Sequence, residues 1–136
     1  MKAEGIIPIL EIIEGVNSGV CLVMCSQGER AHYTDLGAST LVSDNFCFEA
    51  LSKLSNLKLI FTELFILKHK RDVVYKLAEH CADGSKLFGF NLPSFYFITT
   101  YLDDILNLIA YADIVFANLE EAIFLGNLLK IEVKYI

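Results

Sequence analysis

Three short apolar runs, Leu57–Phe61, Lys86–Phe90 and Ile114–Phe116, recur about every 28 residues, with a helical pattern in each interval. No other feature constrains the fold as strongly. A strand, a crossover helix and a second parallel strand need roughly that length, and such connections are right-handed. The chain is therefore predicted to be α/β, with a parallel sheet assembled from βαβ units. Helices are expected over Lys70–Ala82, Leu102–Tyr111 and Leu119–Leu129. The first places Val73, Val74, Leu77, Ala78 and Cys81 on one face, and the second turns Ile105, Leu106 and Ile109 inward. Pro93 blocks continuation directly after the second strand.

This arrangement brings Asn91, Asn118 and Glu121 to the carboxyl ends of neighbouring strands, the edge where open α/β sheets bind ligands. An amide and a carboxylate three residues apart at a helix start can hold a hydrated Mg²⁺ and orient phosphate oxygens. The same spacing is that of a capping box, with Asn118 as N-cap and Glu121 as its partner, and both roles can hold together. Asn91 either touches phosphate or satisfies a turn before Pro93. Asp103 and Asp104 begin a helix, where acids favour the dipole, so neither they nor Asp113 is assigned a catalytic role.

The first third lacks this rhythm. Ile6–Ile13 is β-branched and apolar, and Pro8 within it suggests an edge or bulged strand. Gly19 to Asp35 reads as a β-hairpin, with strands Val20–Ser26 and Arg30–Thr34 around the turn Gln27-Gly28-Glu29. Asp35 to Asn45 is loop-like, and a short helix follows from Phe46. Lys2-Ala3-Glu4-Gly5 reads as the last turn of a helix and its closing glycine.

Bulk properties remove several classes. The chain has 136 residues, about one domain, and is 54% hydrophobic. It contains no run of about 18 uncharged apolar residues, and its start lacks a signal-peptide pattern. A cytoplasmic location is expected, with the nucleus also open, and no membrane partner. A net charge of −6 argues against a nucleic acid polymer as partner. The one basic run, Lys68-His69-Lys70-Arg71, is expected in a solvated loop before a helix. Cys21 and Cys25 lie about 13 Å apart at strand spacing, too far to bridge. Reduced thiols, buried or half-buried, are expected at Cys21, Cys25, Cys47 and Cys81 rather than a metal site.

The segments GVCLVMCSQGER, FTELFIL, KLFGFNLPSF and ADIVFANLEEA, in this order, resemble the adenosine kinases of the ribokinase-like (PfkB) carbohydrate kinase family. The resemblance runs from about Gly5 to Leu129 and covers a central fragment of such a kinase. It implies a partial ribokinase-like three-layer sheet with an N-terminal β-hairpin from the lid. Residues 1–45 would be the β-rich lid-like segment, and 46–136 a partial Rossmann-like kinase core. It also implies phosphorylation of the adenosine 5′-hydroxyl by ATP with Mg²⁺, giving AMP in purine salvage. Arg30 matches a lid arginine that reaches the transferring phosphoryl. Met24, Leu36, Phe65 and Phe95 match apolar positions around the adenine. Asn91, Asn118 and Glu121 match residues that organise phosphate and metal, Glu121 acting on the metal through water.

Two departures bear on activity. The G-A-G-D segment that would supply the anion hole and catalytic base does not occur in the sequence, so this chain alone is expected not to turn over. Glu63 stands where the family has a small residue near the pocket. The competing readings are a non-catalytic paralogue that associates through exposed sheet edges, and another PfkB sugar or nucleoside kinase.

Overall fold

A computed structural model describes residues 5–131. The chain divides into two compact units, residues 1–55 and 56–136.

In the first unit, strands β1 (Ser18–Ser26) and β2 (Glu29–Gly37) form an antiparallel hairpin, with Ser26 opposite Glu29 and Ser18 opposite Gly37. The two residues between, Gln27 (φ 51°) and Gly28 (φ 86°), both take positive φ. That pairing makes the mirror-image turn whose twist matches the strands, and glycine adopts it without a Cβ penalty. The strands run longer than the expected Val20–Ser26 and Arg30–Thr34, because the ladder continues through Asp35, whose carboxylate accepts from the Gly37 N–H at 3.0 Å. A 3₁₀ turn at Ala38–Thr40 follows, then helix α1 (Asp44–Ser52). Its N-cap Ser43 accepts from the Phe46 N–H (3.1 Å), and Glu11 in turn accepts from both the Ser43 N–H and hydroxyl.

The strand expected at Ile6–Ile13 does not form; the segment is irregular, with Ile7, Leu10 and Ile12 exposed. Pro8 supplies no donor, and β1 and β2 pair only with each other, so no ladder receives it. The helix end expected over 2–5 lies outside the described residues except for Gly5, which has φ 76°.

In the second unit, strands β3 (Leu59–Glu63), β4 (Leu87–Asn91) and β5 (Ile114–Phe116) form a parallel sheet in chain order. Helix α2 (Leu67–Asp83) follows β3 through a 3₁₀ turn, Leu64–Ile66. The basic run therefore lies in helical turns rather than a loop, except at Lys70, because that turn feeds straight into the helix. A break at Lys70 (φ −139°, ψ 43°) marks where the regular pattern begins. After β4 come α3 (Phe95–Thr100) and α4 (Leu102–Ile109), and after β5 comes α5 (Leu119–Leu129).

Phe88 and Phe90, both fully buried, turn one sheet face into a core shared with Val74, Ala78, Ile98, Ile105 and Leu108. Phe124 and Leu125 of α5 pack against the same cluster. Strand alternation sends Leu59, Phe61, Leu87, Ile114 and Phe116 to the other face, where each is exposed. Phe61 and Phe116 meet there edge to face at 5.6 Å across Gly89. A Cβ on Gly89 would come within 3.1 Å of the Ile114 carbonyl oxygen, so a side chain here would require the neighbouring strand to give by a few tenths of an ångström.

The thiols differ in setting from the expectation. All four are free, yet Cys21 and Cys25 are exposed, because both hairpin faces are open. Cys81 is buried in the core, and burial pushes its thiol pKa up.

Candidate functional site

The parallel register sets Glu63, Asn91 and Phe116 side by side at the carboxyl ends of β3, β4 and β5. The Leu92 N–H still donates to the Phe116 carbonyl at 2.8 Å, which carries the pairing of β4 and β5 one step beyond the strands. Both chains then leave the sheet, at Pro93 and Ala117. Between them lies an open hollow of about 290 Å³, whose lining includes Asn91, Pro93, Phe116, Asn118 and Glu121. Three residues singled out from spacing alone thus meet at one place.

Asn118 caps α5. Its side-chain oxygen accepts from the Glu121 N–H (2.8 Å), and Glu121 Oε2 accepts from the Asn118 N–H (3.0 Å), which completes a capping box. Each side chain spends one atom on the helix. The Asn118 Nδ2 and Glu121 Oε1 atoms make no hydrogen bond among the described residues. The first-turn N–H groups of an 11-residue helix and its positive dipole end face the same region. Capping therefore leaves one polar atom of each side chain uncommitted among the described residues.

The described residues contain no group of three or more His, Cys, Asp or Glu side chains able to hold a metal ion. One free carboxylate oxygen beside amides suits a cation that keeps most of its water. Mg²⁺ behaves this way, taking one or two carboxylates and completing its shell with water and phosphate. The residues present fit a hydrated Mg²⁺ whose water is held by Glu121 Oε1, with the Asn118 NH₂ left to donate to a phosphate oxygen, and do not fit a dehydrated structural metal.

The aromatic candidates sit apart from this hollow. Phe65, in the turn after β3, meets Phe97 edge to face at 5.1 Å, and Phe95 lies against Phe124 at 5.0 Å. Each is about half exposed. The hairpin separates its own candidates. Met24 pairs with Ala31 on one face, while Arg30 pairs with Cys25 on the other. Alternation puts Leu36 on Arg30's face, six residues along β2. Both Met24 and Leu36 are exposed.

Two of the aspartates left without a catalytic role are structural. Asp104 accepts from Arg71 Nε (2.8 Å) and from the Tyr75 hydroxyl (2.7 Å), tying α4 to α2. The Arg71 guanidinium holds the Asp104 carboxyl below its ordinary range. Asp113 accepts from the Phe88 N–H at 2.8 Å and fastens the start of β5 to β4.

Spacing did not reveal the contact made by Glu63. Its carboxylate accepts from Asn91 Nδ2 at 3.0 Å, one strand away. The signal was present in the strand repeat, because a parallel register offset by the repeat length sets Glu63 beside Asn91.

A mixed α/β unit whose parallel sheet has a hollow at its carboxyl edge, beside a helix N-terminus, is the architecture in which open α/β proteins bind ligands. Residues 1–134 match the pfkB family carbohydrate kinase description, and the chain belongs to that family. It is 28% identical over 127 residues to an adenosine kinase of Dictyostelium discoideum, covering 92% of this chain and 37% of that protein. The apo structure of Trypanosoma brucei brucei adenosine kinase superposes with a TM-score of 0.79 at 23% identity, over 97% of this chain and 41% of that one. Adenosine kinase from Schistosoma mansoni, solved with adenosine, gives a TM-score of 0.75 at 25% identity, over 88% and 35%. The fold is thus the ribokinase-like one of the adenosine kinases, and the chain spans little more than a third of these relatives.

Proposed function

We propose that this chain carries the phosphate- and metal-organising edge of an adenosine kinase-like enzyme. The reaction would move the γ-phosphoryl group of ATP to the 5′-hydroxyl of adenosine, giving AMP in purine salvage in the cytoplasm. One observation carries the reading: Asn91, Asn118 and Glu121 converge on one hollow at a helix N-terminus, with an uncommitted carboxylate oxygen and amide. The similarity to adenosine kinases supports adenosine as the acceptor in preference to other sugars or nucleosides.

Phosphoryl transfer asks a protein mainly for positioning and for stabilisation of charge on the transferring group. Asn91 and Asn118 would donate to phosphate oxygens, and the first turn of α5 would add its dipole. Glu121 would hold the hydration shell of Mg²⁺, which supplies charge neutralisation when bound. By the resemblance, Arg30 would serve the transferring phosphoryl group, since a guanidinium suits an oxyanion. The resemblance supports Phe65 and Phe95 as purine-flanking residues of the second unit; Met24 and Leu36 lie on opposite faces of the hairpin, so at most one of those two would serve a purine. None of these residues is a base for the 5′-hydroxyl proton, and Asp104 and Asp113 are committed elsewhere.

The test incubates the 136-residue chain with adenosine and Mg·ATP, following binding by calorimetry and AMP formation by chromatography. Nucleotide binding that requires Mg²⁺, without AMP formation, is the expected result. Steady AMP formation would show that another residue supplies the base, and absence of any nucleotide binding would remove the reading.

A second reading rests on the sheet itself. β3 and β5 are its two edges, and Leu59, Phe61, Leu87, Ile114 and Phe116 leave one face apolar and exposed. Such edges and faces pair with other polypeptides. Concentration-dependent association that adenosine and ATP leave unchanged would favour this interaction role.

A further inference from the structure

Glu63 makes a contact that the proposed phosphate site does not yet use. Asn91 Nδ2 donates to Glu63 Oε1 at 3.0 Å, the Leu64 N–H donates to Asn91 Oδ1 at 3.3 Å, and the Phe65 N–H donates to Glu63 Oε2 at 3.0 Å. The Leu64 N–H can only donate and an ionised carboxylate can only accept. Rotating the amide by half a turn would set donor against donor and oxygen against oxygen. The Asn91 amide is therefore locked in one orientation by partners on both sides.

That lock leaves Asn91 with a single spare N–H, the only donor its side chain can still offer, and the residue lines the hollow beside the start of α5. We propose that Glu63 is a positioning residue that holds the Asn91 amide so that this N–H serves a phosphate oxygen of the ligand. The inference rests on the phosphate reading given above. It also assigns a use to a residue that the family resemblance marks only as a departure, since a small side chain at this point cannot make the bond. The Glu63 carboxylate has a second, opposing effect, because its negative charge beside the hollow repels phosphate. Alignment and repulsion predict opposite outcomes when the side chain is changed, which lets an experiment separate them.

The experiment compares the ¹⁵N-labelled chain with its Glu63→Ala and Glu63→Gln variants, using inorganic tripolyphosphate with Mg²⁺ as the probe. Gln keeps one acceptor, which can serve Asn91 at the expense of the bond from the Phe65 N–H, without the charge, whereas Ala removes acceptors and charge together. With Glu63 in a positioning role, Glu63→Ala shifts the Asn91 side-chain NH₂ resonances while the backbone amides of β4 stay in place. The same variant weakens tripolyphosphate binding about tenfold, the effect of losing one well-made charge-assisted contact. Glu63→Gln restores the NH₂ resonances toward the parent pattern and binds at least as well as the parent. Unmoved NH₂ resonances in Glu63→Ala would overturn the proposal, and so would tighter binding by both variants, which would leave Glu63 acting by charge alone. If the parent chain binds no tripolyphosphate, the phosphate reading falls, and the NH₂ resonances still decide whether Glu63 holds the amide.

Discussion

Asn118 and Glu121 divide their atoms between the helix and the hollow, and this division can be tested one atom at a time. Asn118→Ala removes the N-cap acceptor, so a loss of about 1 kcal/mol is expected in urea unfolding. Glu121→Gln keeps an oxygen that can accept from the Asn118 N–H, so stability is expected to change by only a few tenths of a kcal/mol. It removes the charge that would hold hydrated Mg²⁺, so Mg²⁺-dependent nucleotide binding is expected to weaken about tenfold or more. Equal binding by Glu121→Gln and the parent would leave Glu121 as a capping residue alone. The capping box of Asn118 and Glu121 was legible in the sequence, because an amide followed three residues on by a carboxylate is its local pattern. The Glu63–Asn91 bond is marked by no local motif; only the offset of the parallel register, carried by the strand repeat, points to it.

Elements set by strong local signals appear where the sequence placed them. β5 runs Ile114–Phe116 and α5 runs Leu119–Leu129, bounded by the Asn118 cap and by Lys130 in the left-handed region (φ 57°). Elements without such signals departed from expectation. Helix α3 was hidden by a β-branched and aromatic sequence, FYFITT, that scores poorly as helix. Its start is Ser94, whose hydroxyl accepts from the Phe97 N–H, so Pro93 stands ahead of a helix and does not exclude one. The Arg71–Asp104–Tyr75 cluster, with the guanidinium 4.8 Å from the Tyr75 ring centre, joins two helices 33 positions apart and carries a pH signature. The folded-state pKa of Asp104 is lowered, chiefly by its hydrogen bond from Arg71. Its contribution to stability is therefore present above the ordinary carboxylate pKa, about 3.9, and is lost as pH falls through the lower folded value. Asp104→Asn is expected to be less stable than the parent at pH 7, with the difference closing as pH drops below about 4. A difference that persists unchanged into acid would show that packing, and not charge, links these helices.

For the molecule as a whole, the strand repeat indicated a parallel sheet and the carboxyl edge at which the candidate site lies, while the order β3-β4-β5 is a finding of the structure. Mean hydropathy of +0.49 finds its physical counterpart in the uncovered sheet face and in a hairpin exposed on both sides. The helices of the second unit bury Phe88 and Phe90 and leave Phe61 and Phe116 in solvent, so the apolar content exceeds what this chain covers. The central claim is that the carboxyl edge of the sheet receives phosphate. A chemical-shift map of the labelled chain, taken as Mg·ATP is added, tests it most directly. The account expects the largest shifts at Asn91, Asn118 and Glu121 and in the first turn of α5, with most of the effect lost when Mg²⁺ is withheld. Shifts confined to other surfaces, or none at millimolar nucleotide, would contradict it.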